Sequence, residues 1–399
     1  MDMLLTKLDT KIVFLLFVFA ISTIFIFYSE NNGKYPDNIP GNLSNNSTNA
    51  NVHSGDLMQK KVSNASSGYT VIVYPGDSIQ QKIDNVNPCD TILVYPGLYK
   101  ENLVVDKPLS IVSKQGKPAD TVIQAANPEK DVFHITANNV TISGFNITGS
   151  KSKAGVYYMG SNGNITENTL VYNKYGAFLK SSSDIIIRNN TVFQNGFGVY
   201  LSNSSMNTLE NNEANNSSHC GIYMEDSTEN ELDFNVANSN NEYAVCLKNS
   251  NSNWLTSNNM SNSELKVDIN GINLENSNSN KLISNYISNS WKGVNLTNSS
   301  DNELSKNRVS HNYFSISLQN SNDNKLLNNT IEVHPYTFSI TLGNSQNNII
   351  KGNTVGLNKE TADINKEIKV FYNPDSRNNT IEGELYTDHG RGTGVFREE

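Results

Sequence analysis

IIRNNTVFQNGFGVYLSNSSMN (186–207) and TLENNEANNSSHCGIYMEDSTEN (208–230) are successive versions of one pattern. An aliphatic residue, Ile187 or Leu209, is followed three positions later by Asn190 or Asn212, and two further on by Val192 or Ala214. A G-Φ-x-Φ segment (Φ apolar) then supplies Val199 and Leu201, or Ile222 and Met224, and a polar pair closes the unit: Asn203 with Ser204, or Asp226 with Ser227. Outward from these two units the aliphatic column extends as Ile165, Leu232, Leu255, Leu282, Leu304, Leu326 and Ile350. Steps are 22 to 24 residues, with one longer step from 255 to 282. The asparagine column follows it at Asn168, Asn235, Asn258, Asn285, Asn307, Asn329 and Asn353, and the next apolar column at Leu170, Ala237, Met260, Ile287, Val309, Ile331 and Val355.

Alternation at period two marks each apolar segment as a strand with one buried face. No unit of about 22 residues buries its own apolar side chains, so the units must stack. At the spacing between neighbouring strands, about 4.8 Å, each asparagine meets its counterpart in the next coil, and amides carry both donors and acceptors to chain along the stack. Asparagine also tolerates left-handed backbone at sharp corners. The expected fold is all-β, a right-handed parallel β-helix of two or three short strands per coil. About a dozen coils make a rod on the order of 55 Å long. A leucine-rich horseshoe is the rival, but the segments are β-branched, Asn or Gly, without a helix signal in each unit.

Flanking regions differ in composition. Residues 12–28 are an apolar run after Lys7 and Lys11 and before Glu30, which reads as a membrane anchor with the N-terminus in the cytoplasm. We divide the chain into a cytoplasmic tip and anchor (1–28), an Asn/Ser-rich stalk (29–68), an N-terminal cap with the first coils (69–137), the asparagine-ladder repeats (138–355) and a C-terminal coil or cap (356–399). The stalk holds the glycosylation sequons Asn42, Asn46 and Asn64 and too few apolar residues to fold. In the cap, Asp77 and Gln80 suggest a capping box opening a short helix whose Ile79, Ile83 and Val86 share one face. The tail from Gly356 breaks the register and is expected to supply closing strands. A formal charge of -9 argues against nucleic acid, whose backbone needs clustered Lys and Arg. Cys89, Cys220 and Cys246 are too scattered for a disulfide framework and are expected as buried free thiols, Cys220 pointing inward.

These coils, with the opening YPGDSIQQKIDNVNPCDTILVYPGLYKENLVVDKPLSIVS (74–113), resemble the pectin-lyase-like superfamily, in particular NosD-like carbohydrate-binding and sugar-hydrolysis domains of archaeal-type surface proteins. The resemblance runs roughly from Tyr69 to Val355. It implies the β-helix, and it implies that the G-Φ-x-Φ strands line any ligand cleft. That superfamily spans lyases, hydrolases, epimerases, adhesins and a periplasmic copper-accessory protein, so activity must be argued from the site.

If Φ points inward, the residue between points out, giving the column Tyr157, Phe178, Tyr200 and Tyr223, then Cys246, Asn273, Asn295 and Ser317. Four stacked aromatics suit the apolar faces of sugars; alternatively they only stabilise the sheet. The next outward column reads Lys180, Ser202, Glu225, Lys248, Glu275 and Thr297. Glu225 and Glu275, two coils apart, together with Asp268 in the insertion that also carries Glu264, are the candidate catalytic carboxylates, although Lys248 intervenes. Arg188, Glu210 and Asp233 form a further outward column, with Glu213 nearby, either an exposed ion pair or a Ca²⁺ site. Copper is disfavoured because His134, His219, His311 and His334 do not share a column, although His311 and His334 lie about one coil apart. Asp388, His389 and Arg391 fall outside the repeat, and no G-x-S-x-G or HExxH motif occurs.

The sequence therefore points to an extracytoplasmic surface protein, membrane-anchored or secreted, that binds or organises envelope polysaccharide, without a cofactor or metal. The alternatives are a polysaccharide lyase, hydrolase or epimerase, a copper-accessory protein, and a structural spacer.

Overall fold

The computed structural model describes residues 68–262, 269–333, 339–357, 370–372, 375–382 and 396–397. The anchor and all of the stalk but Gly68 lie outside them, as do Glu264, Asp268, His334, Asp388, His389 and Arg391. Among the described residues no helix is long and apolar enough to cross a membrane.

Residues from Thr70 onward wind as a parallel coil with three sides. One side is a 14-stranded sheet, one a 13-stranded sheet, and the third is split into six- and five-stranded sheets joined only by isolated bridges through Val236. Fourteen strands at about 4.8 Å make a stack about 60 Å long. Register is one-to-one along the aliphatic column, with Ile187 against Leu209 and Leu209 against Leu232. That column, the column from Leu170 to Ile331, and the pairs from Val199/Leu201 to Ile316/Leu318 are all buried and fill the interior together.

The asparagine column forms the expected internal ladder. Asn212 Oδ1 accepts both the backbone N–H (3.0 Å) and the side-chain amide (2.9 Å) of Asn190, while its own amide donates to Ile187 O (2.7 Å) and to Asn235 Oδ1 (2.9 Å). Each amide thus satisfies backbone groups that the bend takes out of the sheet ladder, and buried polar groups need that satisfaction. The sequence reading missed two parallel ladders. Asn207, Asn230, Asn253, Asn280, Asn302, Asn324 and Asn348 repeat the geometry at another bend, and Asn173 and Asn195 start a shorter one in which Ser217 and Ser290 interrupt the asparagines. The left-handed residue is not the ladder asparagine but the one before it: Asn189, Asn211 and Phe234 at the first bend, Met206 and Glu229 at the second. Where the polar pair turns the corner, Asn203 and Asp226 are left-handed, and Ser204 and Ser227 face inward.

The glycine of G-Φ-x-Φ is a steric requirement. A Cβ on Gly176 would lie 2.6 Å from Val192 Cγ1, and one on Gly293 would lie 2.7 Å from Val309 Cγ1 and 2.6 Å from Ser315 O. In the coil where Ala244 replaces it, the next residue on the third side is the unbranched Met260, a side chain that adapts to irregular space.

Three expectations need correction at the ends. Helix α1 (Ile79–Asn85) covers the open end with Ile79 and Ile83 as expected, but its N-cap is Ser78, not Asp77. Glu101, 22 residues away, replaces the local capping partner by accepting from Ile79 N at 2.8 Å and Gln80 N at 3.1 Å. A carboxylate from the next coil reaches the helix start better than Gln80, which instead bonds Asp84 and Val104. At the other end the tail resumes the register: Val370–Tyr372 pairs with the strand of Ile340, Thr380–Glu382 pairs with that of Ile349, and Asn348 N donates to Asn379 Oδ1 at 2.8 Å. Finally, Cys89 is exposed at a left-handed turn rather than buried, whereas Cys220 and Cys246 are buried thiols.

Candidate functional site

The outward columns lie on the 13-stranded side, where the strands are longest. Its strands Tyr175–Lys180, Phe197–Ser202, Cys220–Glu225 and Tyr243–Lys248 run six residues each. Register places His134, Tyr157, Phe178, Tyr200, Tyr223 and Cys246 on successive strands, so the four aromatics expected together are together. They do not lie as one flat strip. His134 stacks on Tyr157 (4.8 Å, 4°) and Tyr200 on Tyr223 (4.9 Å, 20°), but Phe178 stands edge-on to Tyr157 (87°) and to Tyr200 (77°).

A second file of rings, absent from the sequence reading, packs beside the first. Tyr175 stacks on Phe197 at 5.6 Å and Phe197 on His219 at 4.7 Å, and each of the first two meets Tyr200 edge-on. Strict alternation counts Tyr175 and Phe197 as inward. A Cβ at Gly176 would meet Val192 Cγ1, and one at Gly198 the carbonyl of Gly221; the residue before each glycine instead packs its ring against the outward Tyr200. The usable signal was an aromatic immediately before the glycine. Together the rings make an aromatic surface across five strands, half-buried except at the exposed His219 and edged by Lys174, whose ammonium lies 5.1 Å from the Tyr175 ring centre.

Polar groups tether this surface. Tyr200 donates its hydroxyl to Glu225 Oε2 at 2.7 Å, and Lys248 Nζ lies 3.3 Å from Glu225 Oε1, so both carboxylate oxygens are engaged within the face. Burial first, then the Glu225 carboxylate, pushes the Tyr200 phenol well up; burial also raises Tyr223. Glu275 follows Lys248 in register and makes no ion pair among the described residues. It stands two strands from Glu225, about 9.6 Å between backbones, with Lys248 between. Asp268 lies outside the described residues. On the 14-stranded side Arg188 binds Glu210 at 2.6 Å, and Asp233 next in register has its carboxyl pushed up by burial and by Glu231. A separate cleft of about 310 Å³ at the N-terminal cap is lined by Gly76, Ser78, Leu98 and Glu101; its carboxylate is already spent on capping α1.

A three-sided coil with internal amide ladders and an aromatic outer face defines a right-handed parallel β-helix of the pectin-lyase-like class. Within that class, the family model described as periplasmic copper-binding protein (NosD) matches residues 62–271 and 264–390, and the chain belongs to this family. Solved structures share the fold at low identity. The Dettilon tailspike protein (gp208) is 12% identical with a TM-score of 0.57, covering 82% of this chain and 68% of that one. DFA-IIIase from Arthrobacter chlorophenolicus A6, without its lid and in complex with GF2, is 14% identical with a TM-score of 0.54, covering 79% and 94%; its complex with DFA-III is 15% identical with a TM-score of 0.54, covering 79% and 89%. No curated protein matches the chain.

The family description invites a test for copper. His134 holds Asp131 at 2.9 Å, His219 holds Glu242 at 2.7 Å, and His311 lies 3.9 Å from Glu332, so the three rings serve separate carboxylates. Burial pushes the Cys246 thiol up to about 12 and Cys220 higher still, away from the thiolate that binds metal. Among the described residues no group of three or more His, Cys, Asp or Glu could hold a metal ion. The described residues do not fit copper.

Proposed function

We propose that this chain is an extracytoplasmic β-helix protein that binds or organises polysaccharide of the cell envelope through the aromatic side of its longest strands. The observation carrying this reading is the continuous ring surface from His134 to Tyr223, widened by Tyr175, Phe197 and His219. Half-buried rings held by their neighbours offer apolar contact area at little entropic cost, the property wanted for sugar faces. The family's periplasmic description and the apolar run at 12–28 support an anchored or exported location. A catalytic reading through Glu225 and Glu275 has less support, since Lys248 stands between them and Glu225 is tied to Tyr200.

The test is a glycan array probed with the full-length chain in detergent. Binding is expected, and Tyr200→Ala combined with Tyr223→Ala should weaken it at least tenfold, about 1.4 kcal/mol. An array on which the wild-type chain binds nothing, or binding indifferent to both substitutions, sinks the reading and leaves a structural spacer.

A further inference from the structure

Beyond Tyr223 the outward column turns polar. Cys246, Asn273 and Asn295 continue it in register and are all buried, although they leave the outer side of the sheet. They form one connected set: Asn273 Nδ2 reaches Cys246 Sγ at 3.6 Å, Asn295 Nδ2 donates to Asn273 Oδ1 at 2.8 Å and to Thr297 Oγ1 at 3.2 Å, and Lys292 Nζ donates to Asn295 Oδ1 at 3.0 Å. Lys292 is half-buried, and burial pulls its pKa below the ordinary lysine value. Lys248 on the same side has Glu225, but no described carboxylate pairs with Lys292.

A second ring cluster adjoins this ammonium. Lys292 pairs in register with Phe314, and the residue before it, Trp291, stacks on Tyr313 at 4.2 Å and meets Phe314 edge-on. The strand of Lys292 is three strands from that of Tyr223, about 14 Å along the stack. One side of the rod thus carries rings, then a polar floor with a cation that no described carboxylate compensates, then rings again.

Resting on the reading above, we propose that this side accepts an acidic polysaccharide of uronate type, with a sugar carboxylate on Lys292 and flanking sugars on the rings around Tyr223 and Trp291. A neutral sugar leaves the half-buried ammonium with a single amide oxygen among the described residues. A carboxylate supplies the missing counter-charge and accepts a charge-assisted hydrogen bond, the strong kind.

The experiment titrates the full-length chain in detergent, by calorimetry, with a galacturonate hexamer and with the same hexamer fully methyl-esterified. The acid should bind about ten- to a hundredfold more tightly than the ester, the range of a hydrogen bond to a charged group, and added salt should erode the difference. Lys292→Met should abolish the preference, bringing acid and ester to the same affinity, and Lys292→Arg should keep part of it. Equal affinity for acid and ester in the wild type overturns the proposal but spares the polysaccharide reading, and needs no variant to observe. Preference surviving in a folded Lys292→Met chain also overturns it, and binding of neither hexamer, on a chain that is also blank on the glycan array, overturns both.

Discussion

The Tyr200 hydroxyl donates to Glu225 of the following coil at 2.7 Å, joining the aromatic column to the charged column across one strand step. Because Lys248 takes the other Glu225 oxygen, the carboxylate acts as a clamp on a ring. Its role is therefore one of position. Glu225→Gln, which keeps an acceptor for the phenol, should lower glycan affinity no more than about threefold and leave any polysaccharide turnover unchanged. Loss of a measurable turnover in that variant, with binding retained, would restore Glu225 as a catalytic carboxylate.

Asn212→Ala is expected to destabilise the chain by about 2 to 6 kcal/mol. It strands the Asn190 N–H and the Ile187 carbonyl in the interior, and each unmade buried hydrogen bond costs about 1–3 kcal/mol. Urea denaturation followed by circular dichroism gives the value. A loss under 1 kcal/mol would mean that the ladder is ornamental.

Gly293→Ala should cost about 1–3 kcal/mol by overpacking, because the new methyl meets Val309 and the Ser315 carbonyl. Pairing it with Val309→Ala should return part of that loss. The same denaturation series measures both, and additive penalties would refute the contact.

Alkaline pH should weaken the fold through its phenols. Burial pushes Tyr158 up to about 12 and raises Tyr200, Tyr223 and Tyr243 as well. An unfolded tyrosine ionises near 10, so the folded chain holds these protons longer. Their stabilisation is complete below pH 10 and is lost as pH rises through the folded values. The urea midpoint should be flat from about pH 8 to 9.5 and fall above 10, and Tyr200→Phe should soften that fall. A midpoint that ignores pH up to 11 would contradict the burial of these rings.

The repeat was legible because a solenoid translates sequence period directly into neighbourhood. Leu209 meets Ile187 and Leu232, and Tyr200 meets Phe178 and Tyr223, as counting predicts. Such one-dimensional stacking needs no knowledge of distant chain. Counting failed where a bend breaks alternation. Tyr175 and Phe197 turn outward at a glycine, the ladder through Asn207 lies at a corner taken only for a polar turn, and Glu101 caps a helix 22 residues before it.

Sequence by itself determined the coil, its inward aliphatic files, its asparagine ladder and the column on which the rings stand, since each follows from spacing along the chain. Tertiary structure decided which way each ring turns, that Cys246, Asn273 and Asn295 are buried on an outer face, and that Lys292 pairs with no carboxylate among the described residues. Orientation and burial depend on what the coils above and below project into the same space, and no single period encodes that.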